Sequence, residues 1–384
     1  MRFLFAASVH HPEALRAAQA AALPGQPPPL FPPTMNQHFW EKALLKRGHT
    51  LAAFYRNQPA ITLRRGSLGG KTQAHRQGIT PGKLIQAAWN RIPPRLNPDL
   101  RARNARLIEQ SRAFKPDVLW MVGDNTVIYP ETLAQIKRET GCRIVYACGT
   151  SPIVFSHAID RAAARLYDLV IASDYYHGIQ WLELGAQKMI SLPIAACDPD
   201  FHHPYSLSES ERAAFACDIA FVGTLVPDHL YSRRVKALEA LSAAGFDLGI
   251  WSVHELPASL RKHYRGKALG EQMERILSAA KICFNTHGDF VHYGGNLRLF
   301  EAAGAGVFQV TDDLPGVRQW FPDVEGAPTL VTYTDAEDLV RKAAYYLEHE
   351  AERAAIAANG QRHVYAHHTY DHRAAALEEL LKGS

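Results

Sequence analysis

Residues 218–251 read DIAFVGTLVPDHLYSRRVKALEALSAAGFDLGIW, and the pattern of this stretch decides the fold. The apolar run at 218–222 has the length of a buried strand, residues 231–243 have helical spacing, and 248–251 form a second apolar run. A strand, a helix and a strand in this order predict a parallel βαβ unit. The alternation continues with a helix at 271–280, a strand at 282–285, a helix at 297–303 and a strand at 307–311. The stretch therefore predicts a Rossmann-like domain.

The first half of the chain alternates in a similar way. We expect strands at residues 2–8, 50–55, 117–122, 143–148 and 169–172, and helices at 36–47, 83–89, 100–113, 130–139 and 176–184. Near residue 192 this pattern ends in an irregular run to residue 208, which indicates a linker. The expected fold class is α/β, with two Rossmann-like domains facing a central cleft, followed by C-terminal helices. We expect a first Rossmann-like domain at residues 1–200 and a second at residues 209–360. A C-terminal helix at residues 361–384 should pack back toward the first domain.

The C-terminal tail has a helical, alanine-rich pattern at residues 335–381. We expect it to be interrupted at Gly360 and at 367–370, because glycine and a His-Thr-Tyr sequence both weaken helical propensity.

The composition is typical of a folded globular protein. The chain has 384 residues, of which 47% are apolar and 21% are charged, and this length favours two domains. The five cysteines are odd in number and scattered in apolar segments, which predicts reduced thiols and a cytoplasmic location. No cysteines or histidines have zinc spacing, and the apolar start at residues 1–8 is too short for a signal peptide or a membrane span.

The net charge of +4 conceals an uneven distribution. Residues 42–98 contain eleven Lys or Arg residues and no Asp or Glu. A basic surface of this kind favours an anionic glycan, a phosphorylated acceptor, an anionic membrane surface or nucleic acid. The alternative interpretation is a solvated insertion without a partner.

The densest group of polar residues lies at the start of the helix predicted at 297–303. In open parallel sheets, ligands bind at the carboxyl ends of the strands, where helix N-termini point their free N–H groups. Asn296 is placed to cap this helix, and Arg298 to bind a diphosphate. Glu301 follows Arg298 by three residues, so the two share a helix face, and its carboxylate can accept both ribose hydroxyls of a nucleotide. The competing interpretation is a structural salt bridge between Arg298 and Glu301.

Further contacts with the nucleotide are expected at the ends of two neighbouring strands. Gly223 and Thr224 follow the strand at 218–222, where a glycine lets a phosphate approach the backbone. Arg233 and Arg234 begin the next helix and can reach the same phosphates, and His287 follows the strand at 282–285.

The glycine patterns exclude two common nucleotide-binding classes. The sequence has no G-x-x-x-x-G-K-[ST] loop and no G-x-G-x-x-G after its first strand, which disfavours a P-loop NTPase and an ordinary NAD enzyme. Asp312 and Asp313 could suggest a metal site, but the Thr-Asp-Asp-Leu-Pro-Gly sequence is more typical of a turn. We therefore expect no metal and no cofactor.

A longer set of motifs resembles the CgeB-like, spore-maturation-type glycosyltransferases, a family with the GT-B fold. The resemblance covers residues 165–384 well and the preceding residues weakly. Its motifs are Tyr264-Arg265-Gly266 with Gly270, Asn285, Asn296-x-Arg298-x-Phe300-Glu301-Ala302, Tyr345-Tyr346-Leu347, Glu352-Arg353, and His368-Thr369-Tyr370-Asp371-His372-Arg373.

The resemblance implies nucleotide-sugar binding by the C-terminal domain and acceptor binding by the N-terminal domain. It assigns Gly223, Asn296, Arg298 and Glu301 to the donor. Related retaining enzymes often have a second Glu eight residues before the ribose-binding one, and this chain has Tyr293 there, so the stereochemical outcome stays open. Family members also tend to have an Asp in the loop after the fourth strand, where this chain has residues 149–152 without one.

The resemblance implies that the substrate is a nucleotide-diphosphate sugar, whose sugar is transferred to a hydroxyl group on a glycan, lipid or protein. Negative charge builds on the departing diphosphate, so we expect Gly223 N–H, the Asn296 helix and Arg298 to stabilise it without a metal. An inverting reaction also needs a general base, for which His10, His11 and Asp124 are best placed after predicted strands. The alternatives are a DNA-modifying glycosyltransferase that uses the basic 42–98 region, a nucleotide-sugar epimerase and a non-catalytic scaffold.

Overall fold

The computed structural model describes every residue except 24, 26, 61–91, 149, 150 and 384. The chain divides into two compact units, Met1–Ile194 (unit 1) and Ala195–Ser384 (unit 2). The boundary lies close to residue 192, where the sequence pattern changes. The helix expected at 83–89 and most of the basic 42–98 region lie outside the described residues.

Unit 1 contains a six-stranded sheet in which every strand pairing is parallel. The strands are β1 (Arg2–Ala7), β2 (Thr50–Tyr55), β3 (Val118–Val122), β4 (Arg143–Cys148), β5 (Leu169–Ala172) and β6 (Met189–Ser191). The helices that the structure describes are α1 (Pro12–Ala20), α2 (Asn36–Lys46), α3 (Pro98–Phe114), α4 (Pro130–Thr140), α5 (Ala158–Ala163) and α6 (Tyr175–Glu183). The strand order is β2-β1-β3-β4-β5-β6. It reverses between β1 and β3, which marks the carboxyl ends of these two strands as the ligand crevice of the sheet.

Unit 2 has a second parallel sheet of six strands. The strands are β7 (Cys217–Val222), β8 (Leu248–Trp251), β9 (Tyr264–Gly266), β10 (Ala280–Phe284), β11 (Phe308–Asp312) and β12 (Val331–Tyr333). The helices are α7 (Glu209–Phe215), α8 (Ser232–Ala243), α9 (Glu271–Ala279), α10 (Leu297–Gly304), α11 (Pro315–Trp320), α12 (Ala336–Glu348), α13 (Glu350–His367) and α14 (Tyr370–Lys382). The order β12-β11-β10-β7-β8-β9 reverses between β7 and β10. The loops after β7 and β10 therefore flank the ligand crevice of this sheet.

The two parallel sheets confirm the predicted pair of Rossmann-like domains. Every strand that the sequence predicts is present, within one or two residues of its expected ends. The sequence did not predict β6, β9 and β12, because each has only three residues, too few to show a period. Helices α1, α5, α7 and α11 were also not predicted. No helix within the described residues is long and apolar enough to cross a membrane.

The prediction of a helix interruption at Gly360 is wrong. Helix α13 continues through this position, and a Cβ atom on Gly360 would lie 2.4 Å from the Thr329 carbonyl oxygen. The glycine therefore permits close approach of the helix to a neighbouring backbone. The interruption expected at 367–370 is confirmed, since α13 ends at His367 and Thr369 caps α14 through the His372 N–H.

Candidate functional site

Helix α10 begins as the sequence predicts, with Asn296 as its N-cap. The Asn296 Oδ1 accepts a hydrogen bond of 2.9 Å from the Leu299 N–H. Gly294 and Gly295, which precede it, have φ angles of +123° and +97°, a region that side chains other than glycine rarely adopt. The double glycine therefore sets the turn that aims the start of α10 at the carboxyl edge of the sheet.

The Asn296 side chain is also bound to the end of β10. Its Nδ2 donates to the Asn285 Oδ1 over 2.9 Å, and the Asn285 Nδ2 donates back to the Asn296 Oδ1 over 3.1 Å. Asn285 also donates to the Gln309 Oε1 on β11 over 3.1 Å. This amide network ties the start of α10 to two adjacent strands, so Asn296 has a structural function besides any contact with a ligand.

His287 lies beneath the glycine turn and is almost fully buried, with 1% of its surface exposed. Its Nδ1 is 2.7 Å from the Asp312 Oδ1, and its Nε2 accepts from the N–H groups of Gly295 and Asn296 over 3.0 and 3.3 Å. Because Nε2 accepts from two backbone N–H groups, Nδ1 is the ring atom that donates to Asp312. His287 therefore fixes the turn.

Asp312 completes this arrangement. Burial acts to raise the pKa of its carboxyl group, but His287 outweighs burial through its ring and its backbone N–H and holds the pKa of Asp312 below its usual range. Asp313, the other residue considered for a metal site, forms a salt bridge with Arg318. Within the residues that the structure describes, no group of three or more His, Cys, Asp or Glu residues could hold a metal ion.

Arg298 and Glu301 lie together on α10, and both are partly buried. The Arg298 Nη1 donates to the Glu301 Oε2 over 2.8 Å, and the two side chains are 16% and 13% exposed. The predicted shared face is therefore confirmed, and so is the salt bridge that was its competing interpretation. On the other side of the carboxylate, the His202 Nε2 lies 4.0 Å from the Glu301 Oε1. Burial lowers the pKa of His202, so this ring is neutral at neutral pH.

The Gly223 N–H is engaged at the end of β7. It donates to the Trp251 carbonyl over 3.1 Å, in continuation of the pairing between β7 and β8. This donor is therefore used within the sheet in this structure, and the expected contact of Gly223 with a diphosphate stays a prediction. The Thr224 hydroxyl is likewise engaged locally, with the Val226 carbonyl at 3.3 Å.

Arg234 and Arg233 donate hydrogen bonds to the loop that follows β10. The Arg234 guanidinium donates to the carbonyls of Thr286 and Thr224, over 2.9 and 3.0 Å, and so joins the ends of β10 and β7. Arg233 is more exposed and donates to the Gly288 carbonyl over 3.2 Å. Both arginines thus lie at the switch point of the sheet.

A cavity of about 530 Å³ opens beside the ends of β8 and β9. Its lining combines apolar and charged side chains, namely Val253, His254, Glu255, Leu256, Arg261, Tyr264 and Lys267. The cavity was not predicted, because its lining is spread along residues 253–267 and no single motif contains it.

The three candidate bases of unit 1 follow β1 and β3, the strands at which the order of that sheet reverses. His10 is exposed, and the His11 Nδ1 lies 3.9 Å from the Glu13 Oε1. Asp124 is exposed, and its backbone carbonyl accepts from Arg56. Arg56 was not predicted as a site residue; it is 5% exposed and also donates to the carbonyls of Val122 and Gly123. The catalytic role of the three bases stays a prediction.

Two comparisons relate the chain to known sequences. Residues 233–379 match a family model described as glycosyl transferase-like. The spore protein CgeB of Bacillus subtilis (strain 168) is 22% identical to the chain over 298 residues, which cover 72% of this chain and 86% of CgeB. These matches confirm the resemblance that the motifs predict.

Solved structures match the whole chain. HepE (Alr3699) of Anabaena, in complex with UDP and glucose, has a TM-score of 0.58 at 13% identity, with 100% of both chains covered. A glycosyltransferase from Rickettsia africae ESF-5 has a TM-score of 0.61 at 11% identity, with 100% of this chain and 98% of that chain covered. The chain thus has the GT-B fold, and its residues 233–379, with Arg298 and Glu301 among them, form a glycosyl transferase-like domain.

Proposed function

We propose that this protein transfers a sugar from a nucleotide-diphosphate sugar to a hydroxyl acceptor. The observation that carries the proposal is the partly exposed pair of Arg298 and Glu301, on the helix that starts beside the switch point of unit 2. HepE was solved with UDP and with UDP-glucose, so UDP is the first nucleotide to test.

In this proposal, Glu301 accepts the ribose hydroxyls and Arg298 faces the diphosphate. The first N–H groups of a helix have no intrahelical acceptors, and together with the helix dipole they favour an anion. Because the Gly223 N–H is engaged in the sheet, the charge of the departing diphosphate falls to the start of α10 and to Arg298. Metal independence remains a prediction, which addition of EDTA to a transfer assay would test.

In this proposal, the nucleobase occupies the cavity beside β8 and β9. This cavity lies on the side of β7 away from β10, two to three strands from the start of α10. Adjacent strands are about 4.8 Å apart, which gives a span of about 10–14 Å, comparable with the length of a nucleoside diphosphate. Tyr264 offers a ring on which a base can stack.

Titration calorimetry with UDP tests the donor site. Glu301→Gln and Arg298→Ala each remove one charge-assisted interaction, worth about 1.5–3 kcal/mol, which corresponds to roughly 10–100-fold weaker binding. Glu271→Gln, at the exposed start of α9, is the matched control and should bind as the wild type does. Unchanged affinity in both site variants would refute the assignment, and parallel titrations with GDP, dTDP and CDP would show whether another nucleotide is preferred.

The acceptor side of the proposal rests on the sequence. The basic 42–98 region favours an anionic acceptor, a membrane surface or nucleic acid, and its distribution of charge predicts binding that weakens steeply with salt. The alternatives of a DNA-modifying glycosyltransferase and of an epimerase remain open, and sugar transfer to duplex DNA or isomerisation without an acceptor would reveal them. The cytoplasmic location also stays a prediction from the cysteines.

A further inference from the structure

A buried carboxyl group on α9 is influenced by the charges of Glu301 and Arg298 and has no assigned function. Glu274, in the first half of α9, is 0% exposed. Among the residues that the structure describes, neither of its oxygens has a hydrogen-bond partner. An isolated ionised carboxylate in such surroundings is strongly disfavoured, and the group holds its proton instead.

The charged groups that act on Glu274 belong to the proposed donor site. Burial raises the pKa of Glu274 well above its usual value, the charge of Glu301 raises it further, and Arg298 opposes the rise. Arg298 has an unused donor of its own, because its Nε atom is buried and has no hydrogen-bond partner among the described residues. An ionised Glu274 would thus be a second acceptor competing for the one guanidinium group.

Counting the charges shows why the proton matters. With Glu274 neutral, the charges of Glu301 and Arg298 cancel, and the neutral His202 adds nothing, so the cluster has no net charge. With Glu274 ionised, the cluster carries one negative charge beside the place proposed for a diphosphate. Like charges disfavour each other most strongly where water is excluded.

We infer that Glu274 is a positioning residue whose neutral form keeps Arg298 available to the nucleotide, so that nucleotide binding is linked to one proton. This inference rests on the proposed function. When Glu274 is ionised, binding must take up a proton from solvent onto the Glu274 carboxylate. Affinity then falls as pH rises above the pKa of Glu274 in the free protein, by up to about tenfold per pH unit.

The groups around Glu274 do not produce the same effect. Among the described residues, only Glu301 and Arg298 shift the pKa of Glu274 electrostatically. The Glu274 charge in turn raises the pKa of four groups on neighbouring elements, namely Cys197, Tyr205, Cys283 and Tyr365, and Glu271 and Arg275 lie on α9 itself. Burial raises the pKa of Cys283 and Tyr365 to about 12 and raises that of Cys197 further. Burial also raises the pKa of Tyr205. These thiols and phenols therefore remain neutral at moderately alkaline pH.

The test is titration calorimetry of the full chain with UDP, at several pH values between neutral and moderately alkaline, in buffers with different heats of ionisation. The wild type should take up protons at alkaline pH and lose affinity there. Glu274→Gln, which imitates the neutral acid, should bind as tightly as the wild type at neutral pH, retain that affinity at alkaline pH and show no proton uptake. Glu271→Gln should retain the pH dependence of the wild type.

The outcomes separate the inference from the function on which it rests. If the wild type fails to bind UDP or any of the other three nucleotides, the proposed function falls. If it binds with no proton uptake and a flat pH profile, or if Glu274→Gln keeps the pH dependence, the function stands and the role of Glu274 is refuted. Should Glu274→Gln not fold, Glu274→Leu supplies a second neutral side chain, and the buffer dependence of the wild type still decides whether a proton is linked to binding.

Discussion

Replacing Asn296 separates two structural contributions that a single side chain makes to the start of α10. Serine keeps an oxygen that can accept from the Leu299 N–H but loses the amide that pairs with Asn285, whereas alanine loses both. Asn285 is 3% exposed, so its Oδ1 would be buried without a donor, at a cost of about 1–3 kcal/mol. Its Nδ2 would still donate to Gln309. The loss of the cap adds about 1 kcal/mol for alanine and little for serine.

We therefore expect the free energy of unfolding to fall by about 1–3 kcal/mol in Asn296→Ser and by about 2–4 kcal/mol in Asn296→Ala. Differential scanning calorimetry would show this as a lower melting temperature, by about 2–4 °C per kcal/mol for a unit of this size. Equal stability of the serine variant and the wild type would show that the Asn285 pair contributes nothing. Equal stability of the two variants would show that the cap contributes nothing.

Two further variants test the surroundings of the site. Gly360→Ala should destabilise unit 2 by about 1–3 kcal/mol because its Cβ atom meets the Thr329 carbonyl, although alanine is the better helix former. The control Ala358→Gly, at an exposed position of the same helix, should lower stability by about 1 kcal/mol. If calorimetry showed Gly360→Ala to be more stable than the wild type, the observed packing would be contradicted. His287 lowers the pKa of Asp312 by more than burial raises it, so the folded-state pKa lies below its usual value. The ionised Asp312 therefore stabilises the fold at pH values above its unfolded-state pKa of about 3.9. This contribution disappears as pH falls through the lower folded-state pKa. The difference in stability between the wild type and Asp312→Asn should therefore shrink below about pH 4 in urea unfolding, and a difference that persists at lower pH would show that the charge of Asp312 is not its source.

The sequence predicted the elements of both sheets because buried parallel strands and amphipathic helices have different periods. It also placed Asn296, Arg298 and Glu301 correctly at the start of one helix, since their spacing within that helix is local. Glu274 and His202 were not predicted, because they reach this cluster from α9 and from the irregular 195–208 segment, and no short spacing links them to Glu301. The error at Gly360 has the same origin: propensity describes the helix alone, whereas the Thr329 carbonyl that requires a glycine is about thirty residues away in the sequence.

The residues that the sequence predicted to contact the nucleotide have different roles in the structure. His287, Asn296 and Arg234 were all candidates for contact with the donor, yet each uses its polar atoms to hold the turn or the strand ends of unit 2. Arg298 differs because its guanidinium is partly exposed, has one partner in Glu301 and has an Nε atom that remains without one among the described residues. A site that must bind an anion needs both a rigid backbone turn and at least one charged side chain that can change partners. Substitutions at His287 or Asn296 should therefore act mainly through stability, while substitutions at Arg298 or Glu301 should act mainly through nucleotide affinity.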